Sequence, residues 1–418
     1  MKKEKHILLR IAGMVLLITM LTGCEGMELL DEIPRDFIFS EILSGKVERQ
    51  EEIPEESSAE EAEPEVCFLM EEAFPFSCNT LSREEQLWYH DMERILGSFQ
   101  EKVRLSGEGI EAGLDETDVD RIFQCVLNDH PELFYVDGYS YTKYMRGERL
   151  LAIEFSGSYN TDQETASARR EEILAAAEEI LAGAAALASD YEKVKYVYET
   201  LIRNTDYDLD APDNQNIYSV FVHHLSVCQG YAKATQYLLN RLGMECTLVL
   251  GTVETGEGHA WNLVKVDGEY YYVDTTWGDV SYRTEDLPDE GEGGSLNMPE
   301  INYDYLNVTT EEILRTHTIG GLAAMPLCTA TGANYYVREG AFFTFYDREQ
   351  MGALFQKAIE EGRTDVTIKC CDALCYENVV NELIEEQEIF RYLEDGESSI
   401  AYAQNEKQLS LTFWVTNG

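Results

Sequence analysis

The sequence predicts an α+β fold, and three neighbouring segments carry that prediction. Residues 232–243 (AKATQYLLNRLG) place apolar side chains at helical spacing and end on a glycine, which is typical of a helix terminus. Residues 260–266 and 269–275 are rich in β-prone side chains and flank Asp267-Gly268, a pair favoured in two-residue hairpin turns. The predicted centre of the fold is therefore a helix followed by an antiparallel hairpin.

Three side chains of complementary chemistry lie in or beside this unit, within the phrases SVCQGYAKA, GHAWNLVKV and YYYVDTTWGD: Cys228, His259 and Asp274. Cys228 falls at or just before the first turn of this helix, where the macrodipole and free N–H groups favour a thiolate and can bind an oxyanion. In the predicted hairpin register Trp261 lies opposite Asp274, so His259 is its diagonal neighbour, roughly 7 Å away at the backbone. A thiol, a base and a carboxylate that orients the base are the components of nucleophilic catalysis. The pattern predicts covalent chemistry.

Each of these residues also has a structural interpretation. A lone cysteine is most often a small buried hydrophobe, and a lone histidine more often satisfies a local structural need than a catalytic one. The stronger alternative is a protein that keeps the fold without the chemistry. The occurrence of all three residues, in order and on the predicted elements, favours the catalytic interpretation.

The three phrases resemble those of the transglutaminase-like superfamily of papain-like cysteine enzymes, over residues 204–280. The resemblance implies a helix bearing Cys228 as nucleophile, packed on an antiparallel sheet bearing His259 as general base and acid and Asp274 as orienting carboxylate. Other matching positions are Gly230 and Tyr231 of C-x-G-Y, Trp261 and Asn262 of H-A-W-N, and Trp277 after the aspartate. Residues 223–226 (HHLS) depart from the glycine-containing turn common in relatives. The Cys228 amide is therefore the one oxyanion donor predicted, and no second donor is assigned.

The resemblance also implies acyl transfer through a thioester, with peptide or protein amides as substrates. Water as the second nucleophile makes such an enzyme a protease or amidase, and an amine makes it a transglutaminase. Hydrolysis is favoured, because the first residues of the chain, described next, predict a surface lipoprotein. The competing class is a non-catalytic surface binding protein that uses the same fold. No cofactor and no metal are predicted.

The beginning of the chain predicts export. Residues 1–10 are basic, and the apolar run 11–21 is too short to span a bilayer as an ordinary helix. It ends in Leu-Thr-Gly-Cys at Cys24, which resembles a bacterial lipobox and implies a signal peptide at 1–23, cleavage before Cys24 and lipidation of its thiol. The protein is then expected on the outer face of a bacterial membrane, held by a lipid anchor. An ordinary secretory peptide is the alternative.

Composition and charge set the remaining expectations. The 418 residues carry a formal net charge of −47, from 32 basic and 79 acidic residues, which argues against nucleic acid as a partner. Residues 24–78 include a highly acidic stretch and are expected to form a disordered tether. A mainly helical lobe with a short hairpin (79–203), the catalytic core (204–300) and a small α+β accessory domain (301–418) follow. The oligomeric state and any disulfide connectivity are left open.

Three finer predictions concern single positions. His130 is expected to close a helix end rather than to act in catalysis, and Cys125 and Cys246 fall in apolar stretches, which predicts buried thiols. A helix is expected to begin near Thr309 or Thr310 and to run to His317.

Replacement of Cys24 by serine tests the lipobox. Because the variant lacks the thiol that the lipid would modify, we expect an unprocessed chain that keeps residues 1–23 and carries no lipid mass. Intact-mass spectrometry of the membrane fraction measures this, with Cys67→Ser as the matched control. If Cys24→Ser is cleaved at the same position as the wild type, the lipobox interpretation is wrong.

Overall fold

The structure, a computed structural model, describes residues 74–280, 299–393 and 400–414, together with the backbone of 47–52. The predicted signal peptide, Cys24 and most of the predicted tether lie outside these residues. Among the helices of the described part, none is both long enough and apolar enough to cross a membrane.

The N-terminal lobe combines helices with a four-stranded sheet. Its elements, in chain order, are β1 (Val47–Glu52), α1 (Arg83–Gly97), β2 (Val103–Arg104), α2 (Gly107–Ala112), α3 (Glu116–Asp129), β3 (Val136–Arg146), β4 (Arg149–Tyr159), α4 (Gln163–Ala185) and α5 (Asp190–Asn204). Strand order is β1-β3-β4-β2, and β3 and β4 form the predicted hairpin. The two helices predicted over 165–203 are confirmed as α4 and α5. The lobe is richer in sheet than predicted, because β1 and β2 pair along the two edges of that hairpin.

Strand β1 corrects one sequence expectation. It lies inside the predicted disordered tether, yet it pairs in parallel with β3 from Val47 opposite Ser140 to Glu52 opposite Met145. The tether prediction is wrong for these six residues. It rested on side-chain charge, whereas an edge strand is held by backbone hydrogen bonds, which do not require apolar side chains.

Local capping explains where two helices of this lobe, α1 and α5, begin. Ser82 and Glu85 form a reciprocal capping box at α1, and Ser189 and Glu192 form another at α5. Each box satisfies two backbone N–H groups that a helix start leaves unpaired. From these starts, α1 and α5 direct their apolar side chains inward at helical spacing.

The central part of the chain forms a second four-stranded sheet covered by a helix. Its elements are β5 (Asp206–Tyr207), β6 (Leu225–Ser226), α6 (Cys228–Arg241), β7 (Cys246–Val253), β8 (Gly258–Val266), β9 (Glu269–Val273), α7 (Thr275–Gly278), α8 (Thr310–Ile313) and β10 (His317–Ile319). Strand order is β10-β7-β8-β9, antiparallel throughout, and α6 packs on β7 and β8. This arrangement confirms the predicted α+β class, with a helix resting on an antiparallel sheet.

The predicted hairpin has the predicted register. Val266 pairs with Glu269 and Asn262 with Val273, so the two-residue turn is Asp267-Gly268. Both turn residues have positive φ, 51° and 88°. That is the backbone of the type I′ turn, which matches the right-handed twist of the flanking strands.

The N-terminal lobe and the central sheet share one hydrophobic core. It extends from α1 and α3 through α5 and α6 into β8 and β9. Buried amides reinforce the contact: Gln236 Nε2 of α6 donates to Asn128 O of α3 at 2.8 Å, and Asn128 Nδ2 donates to Leu248 O of β7 at 3.1 Å. The helix that begins at Cys228 is therefore supported on its far side by the lobe.

The predicted boundary assigned all residues from 301 onward to the accessory domain. The structure shows that the first of them belong to the central sheet instead. Val308 forms an antiparallel bridge with Tyr272, and β10 pairs with β7, so residues 301–319 complete the central sheet. The Thr309 cap is confirmed, but its helix α8 ends at Ile313, and His317 begins a strand instead of ending that helix. β10 can approach β7 closely because Gly251 has no Cβ; one added there would lie 2.0 Å from Thr318 O.

The C-terminal domain has its own sheet and core. Its elements are α9 (Tyr335–Arg338), β11 (Phe342–Phe343), α10 (Arg348–Glu360), β12 (Asp365–Cys370), α11 (Ala373–Val380), β13 (Ala401–Asn405) and β14 (Ser410–Trp414). The sheet order is β11-β12-β14-β13, and its apolar side chains form a cluster distinct from the central core. The strand predicted over 334–346 is wrong for its first half, where α9 forms, and the helix predicted over 379–393 starts earlier, at Ala373, because Asp372 caps it.

A buried ion pair joins this domain to the central sheet. Lys369 Nζ of β12 lies 3.1 Å from Asp304 Oδ1, and both side chains are almost fully buried. Asp304 Oδ2 also accepts hydrogen bonds from Ser410 Oγ at 2.6 Å and Asn405 Nδ2 at 3.2 Å. A buried carboxylate with three such donors compensates the cost of removing both charges from water.

We expect Asp304→Ala to lower the free energy of unfolding by about 3–5 kcal/mol, because it leaves the Lys369 ammonium buried without a counter-charge. Glu300→Ala is the matched control; it breaks a pair with Arg203 in which both side chains are substantially exposed, so the loss should stay below about 1 kcal/mol. Denaturant unfolding of the two variants measures both values. Equal losses would show that the buried pair does not hold the domain in place.

Candidate active site

Cys228 is the first residue of α6, with Val227 at the N-cap, as the sequence predicts. Its side chain is partly exposed and packs beside Ala232, Leu248 and Ala260. The thiol thus lies where the helix presents unpaired N–H groups and the positive end of its dipole. Both features stabilise a thiolate and an adjacent oxyanion.

The residues that follow Cys228 hold the preceding loop against the helix. A Cβ at position 230 would lie 1.9 Å from Ser226 Oγ and 2.9 Å from Asn214 O, so only glycine permits this approach. The Tyr231 hydroxyl is buried; it donates to Thr205 O and contacts Asp279 Oδ2 at 3.0 Å. These contacts give the C-x-G-Y phrase a structural purpose, which is to fix the start of α6.

His259 lies on β8 and is almost fully buried. Three residues further along the same strand, Asn262 Nδ2 donates to Ala232 O of α6 at 2.9 Å and contacts Thr247 O of β7 at 3.4 Å. This side chain therefore ties the strand that carries the imidazole to the helix that carries the thiol.

Asp274 directly follows β9 and caps α7. Its Oδ1 accepts the Trp277 backbone N–H at 3.0 Å, and its Oδ2 lies 2.8 Å from His259 Nε2. The carboxylate is fully buried. Burial alone would raise the pKa of Asp274, but the two neighbouring histidines, His259 and His317, outweigh it and hold that pKa well below its usual range. Asp274 is therefore ionised at every physiological pH.

The structure brings the side chains of Cys228, His259 and Asp274 together in a line of hydrogen-bonded groups, with His259 between the other two. His259 uses Nε2 for Asp274, and its side chain also forms a hydrogen bond with the Cys228 thiol, which leaves Nδ1 for the sulfur. Burial lowers the pKa of His259, yet the charge and hydrogen bond of Asp274, with a smaller contribution from Cys228, raise it to about 10. An imidazolium in this position favours the thiolate form of its neighbour.

A second histidine, His317, reaches the same carboxylate and was not predicted as a site residue. Its Nε2 lies 3.0 Å from Asp274 Oδ2, and the ring is enclosed by Trp261, Trp277 and Tyr305. One ring nitrogen of each histidine and one carboxylate oxygen of Asp274 lie within 4.8 Å of one another. Each histidine directs a ring nitrogen at the same carboxylate oxygen, at the distance of an N–H···O hydrogen bond.

The other singled-out residues lie away from this line. His130 follows the last residue of α3 and is buried between Glu132 and Glu93, at 2.9 and 3.2 Å, which agrees with a structural role at a helix end. Cys125 and Cys246 are buried, as predicted, and burial raises the pKa of both thiols. All the cysteines of the described residues are unpaired.

Comparison with known proteins agrees with this geometry. Residues 175–275 match the family model described as the transglutaminase-like superfamily, so the chain contains a transglutaminase-like core domain. The kyphoscoliosis peptidases of mouse and human are each 26% identical over 106 residues, which is 22% of this chain and 16% of the relative. The chain thus spans about a sixth of the length of these curated relatives.

Solved structures show weaker similarity. A structure described as a TGase is 16% identical over 39% of this chain and 55% of its own, with a TM-score of 0.25. The periplasmic domain of TgpA from Pseudomonas aeruginosa is 18% identical over 31% of this chain and 57% of its own, with a TM-score of 0.21.

The raised pKa of His259 predicts a specific pH dependence. The pKa of His259 in the folded state, about 10, lies above the ordinary value of 6.5. The protonated imidazolium therefore contributes its full stabilisation of the folded state below pH 6.5, and this contribution is lost as the pH rises through about 10. We expect Asp274→Asn to move this titration to lower pH, because the neutral amide cannot attract the proton. Nitrogen-15 NMR of labelled histidines measures it. His130, whose pKa two different carboxylates raise to about 10 against the effect of burial, is the internal control; an unchanged His259 titration would contradict the assignment.

Proposed function

We propose that this chain is a cysteine acyl-transfer enzyme that cleaves peptide or protein amides through a thioester at Cys228. The observation that carries the proposal is the continuous line from the thiol at the start of α6, through buried His259, to ionised Asp274 at 2.8 Å. A nucleophile, a base and a group that orients the base are what acyl transfer requires.

The first half-reaction uses the ion pair directly. The Cys228 thiolate attacks the amide carbonyl, and the negative charge moves to the carbonyl oxygen, next to the N–H groups at the start of α6. When the C–N bond breaks, the His259 imidazolium gives its proton to the leaving amine. The acyl group then remains on sulfur as a thioester, and Asp274 keeps the now neutral imidazole in the same orientation.

The second half-reaction restores the enzyme. Neutral His259 removes a proton from water as the water adds to the thioester, the C–S bond breaks, and a carboxylic acid leaves. The thiolate and imidazolium are thereby regenerated. If an amine replaces water, the same steps form a new amide and the enzyme acts as a transglutaminase. We favour water, because hydrolysis needs no second bound substrate.

The setting proposed for this chemistry is the outer face of a bacterial membrane, with the chain held by a lipid on Cys24. The support for this anchor is the lipobox-like phrase and the basic and apolar segments before it. The net charge of −47 supports a peptide or protein substrate over a nucleic acid.

Alkylation by iodoacetamide across a pH series tests the proposal. In the full-length chain we expect Cys228 to react at and below neutral pH, at least about tenfold faster than in His259→Ala, because only the thiolate is nucleophilic. Mass spectrometry of the digested protein identifies the modified residue. The Cys228→Ala variant, with its folding checked by circular dichroism, should lose any amidase activity.

Cys371 is a control within the same molecule. It is also partly exposed, but burial and the neighbouring Asp372 raise the pKa of its thiol to about 11, so it should react only at high pH. If Cys228 reacts no faster than Cys371 near neutral pH, the thiol is not activated. That result would favour a surface binding protein built on this fold.

A further inference from the structure

A chain of buried polar side chains connects the C-terminal domain to Asp274. Lys369 Nζ contacts Gln408 Oε1 at 3.2 Å, and Gln408 Nε2 contacts Thr316 Oγ1 at 3.4 Å. Thr316 Oγ1 lies 2.8 Å from His317 Nδ1, and His317 Nε2 lies 3.0 Å from Asp274 Oδ2. Each of these five side chains belongs to a buried residue. Two of them, Lys369 and Gln408, come from the C-terminal domain.

The direction of the donors follows from the lysine. An ammonium group has only donors, so Lys369 must face the oxygen of the Gln408 amide, and the amide NH₂ therefore faces Thr316. Thr316 Oγ1 has two nearby acceptors for its proton, His317 Nδ1 at 2.8 Å and Tyr305 OH at 3.3 Å. The shorter contact favours donation to His317 Nδ1, which leaves the one proton of a neutral His317 on Nε2, facing Asp274.

We propose that His317 is a positioning residue for the active site, held neutral with its proton on Nε2 by Thr316 and Gln408, so that the C-terminal domain completes the catalytic line. The inference rests on the proposed function, since it concerns the carboxylate that orients His259. It assigns a role to residues that lie 42 positions or more after Asp274 in the chain.

The neutral form matters because of what surrounds the ring. The titratable groups that face His317 are Asp274 after β9, His259 on β8 and Tyr305 before α8. Lys369 is reached only through Thr316 and Gln408, and Asp304 lies beyond Lys369. The two imidazole rings lie 5.3 Å apart. A cationic His317 would therefore oppose protonation of His259, whereas a neutral N–H donor fixes the carboxylate and leaves its charge for His259.

The aromatic side chains around the His317 ring limit the orientations that the ring can take. Trp261, Trp277 and Tyr305 pack around the ring and prevent it from turning away from Asp274. The polar partner left to the second nitrogen is Thr316, whose hydroxyl is the point at which the C-terminal domain can act. Thr316→Val keeps the side-chain volume and removes that hydroxyl, and Thr316→Ser restores it.

The test uses the full-length chain with nitrogen-15-labelled histidine. In the wild type we expect His317 to show an unprotonated Nδ1 and a protonated Nε2 near neutral pH, its resonances being assigned by their loss in His317→Gln. Doubly protonated His317 would overturn the proposal. This measurement needs no perturbed fold and does not depend on whether Cys228 is reactive.

The functional readout is the pH profile of the His259 titration, followed by nitrogen-15 NMR. In Thr316→Val we expect the midpoint of this titration to fall by about one pH unit, with Thr316→Ser close to wild type. A purely structural role would lower stability without moving the profile. An unchanged profile in a folded Thr316→Val variant would overturn the proposal.

A second variant keeps the test decisive if Thr316→Val does not fold. Gln408→Glu keeps the size of the side chain and a partner for Lys369, but it turns an oxygen toward Thr316 in place of the NH₂ donor. We expect the same downward shift, because the Thr316 hydroxyl then donates to the introduced carboxylate instead of to His317. If wild-type Cys228 shows no activated reaction at all, the proposed function fails, and the NMR result alone decides the state of His317.

Discussion

The buried carboxylate of Asp274 is the group on which the rest of the site depends. It stays ionised without contact with water because it accepts a backbone N–H from Trp277 and faces two imidazole nitrogens. Each donor comes from a different part of the fold: the first turn of α7, strand β8 and strand β10. The central sheet, its β10 extension and the α7 cap are therefore required at once to keep this charge in place.

Much of this site could be predicted from the sequence because its signals are local. The helix stop at Gly243 and the turn at Asp267-Gly268 determine the extent of α6 and the register of the hairpin, and the register alone places His259 beside Asp274. The signature residues Gly230 and Asn262 could be matched by resemblance, but their physical purpose, to hold the loop and β8 against α6, needed the structure.

His317 could not be found in the same way. It reaches the site through pairing of β10 with β7, whose partners are more than sixty residues apart in the chain, and a three-residue strand has no periodicity to detect. The same limit applies to β1, whose pairing with β3 depends on backbone groups and not on its charged side chains. Local patterns predict elements, whereas the edges of sheets are decided by distant partners.

The C-terminal domain is connected to the site through two of its buried polar side chains. Its own core allows it to be described as a separate unit, but Lys369 and Gln408 project from it into the central sheet. The buried pair of Lys369 with Asp304 fixes their position, and the chain that begins there ends at the carboxylate. The domain thus contributes buried polar contacts to the surroundings of the site.

The most direct measurement of the central claim is the ultraviolet thiolate absorbance of the full-length chain, followed from acid to alkaline pH as a difference against Cys228→Ala. The account predicts a thiolate already present near neutral pH that His259→Ala abolishes. A difference spectrum without thiolate until the alkaline range of an ordinary cysteine would contradict it.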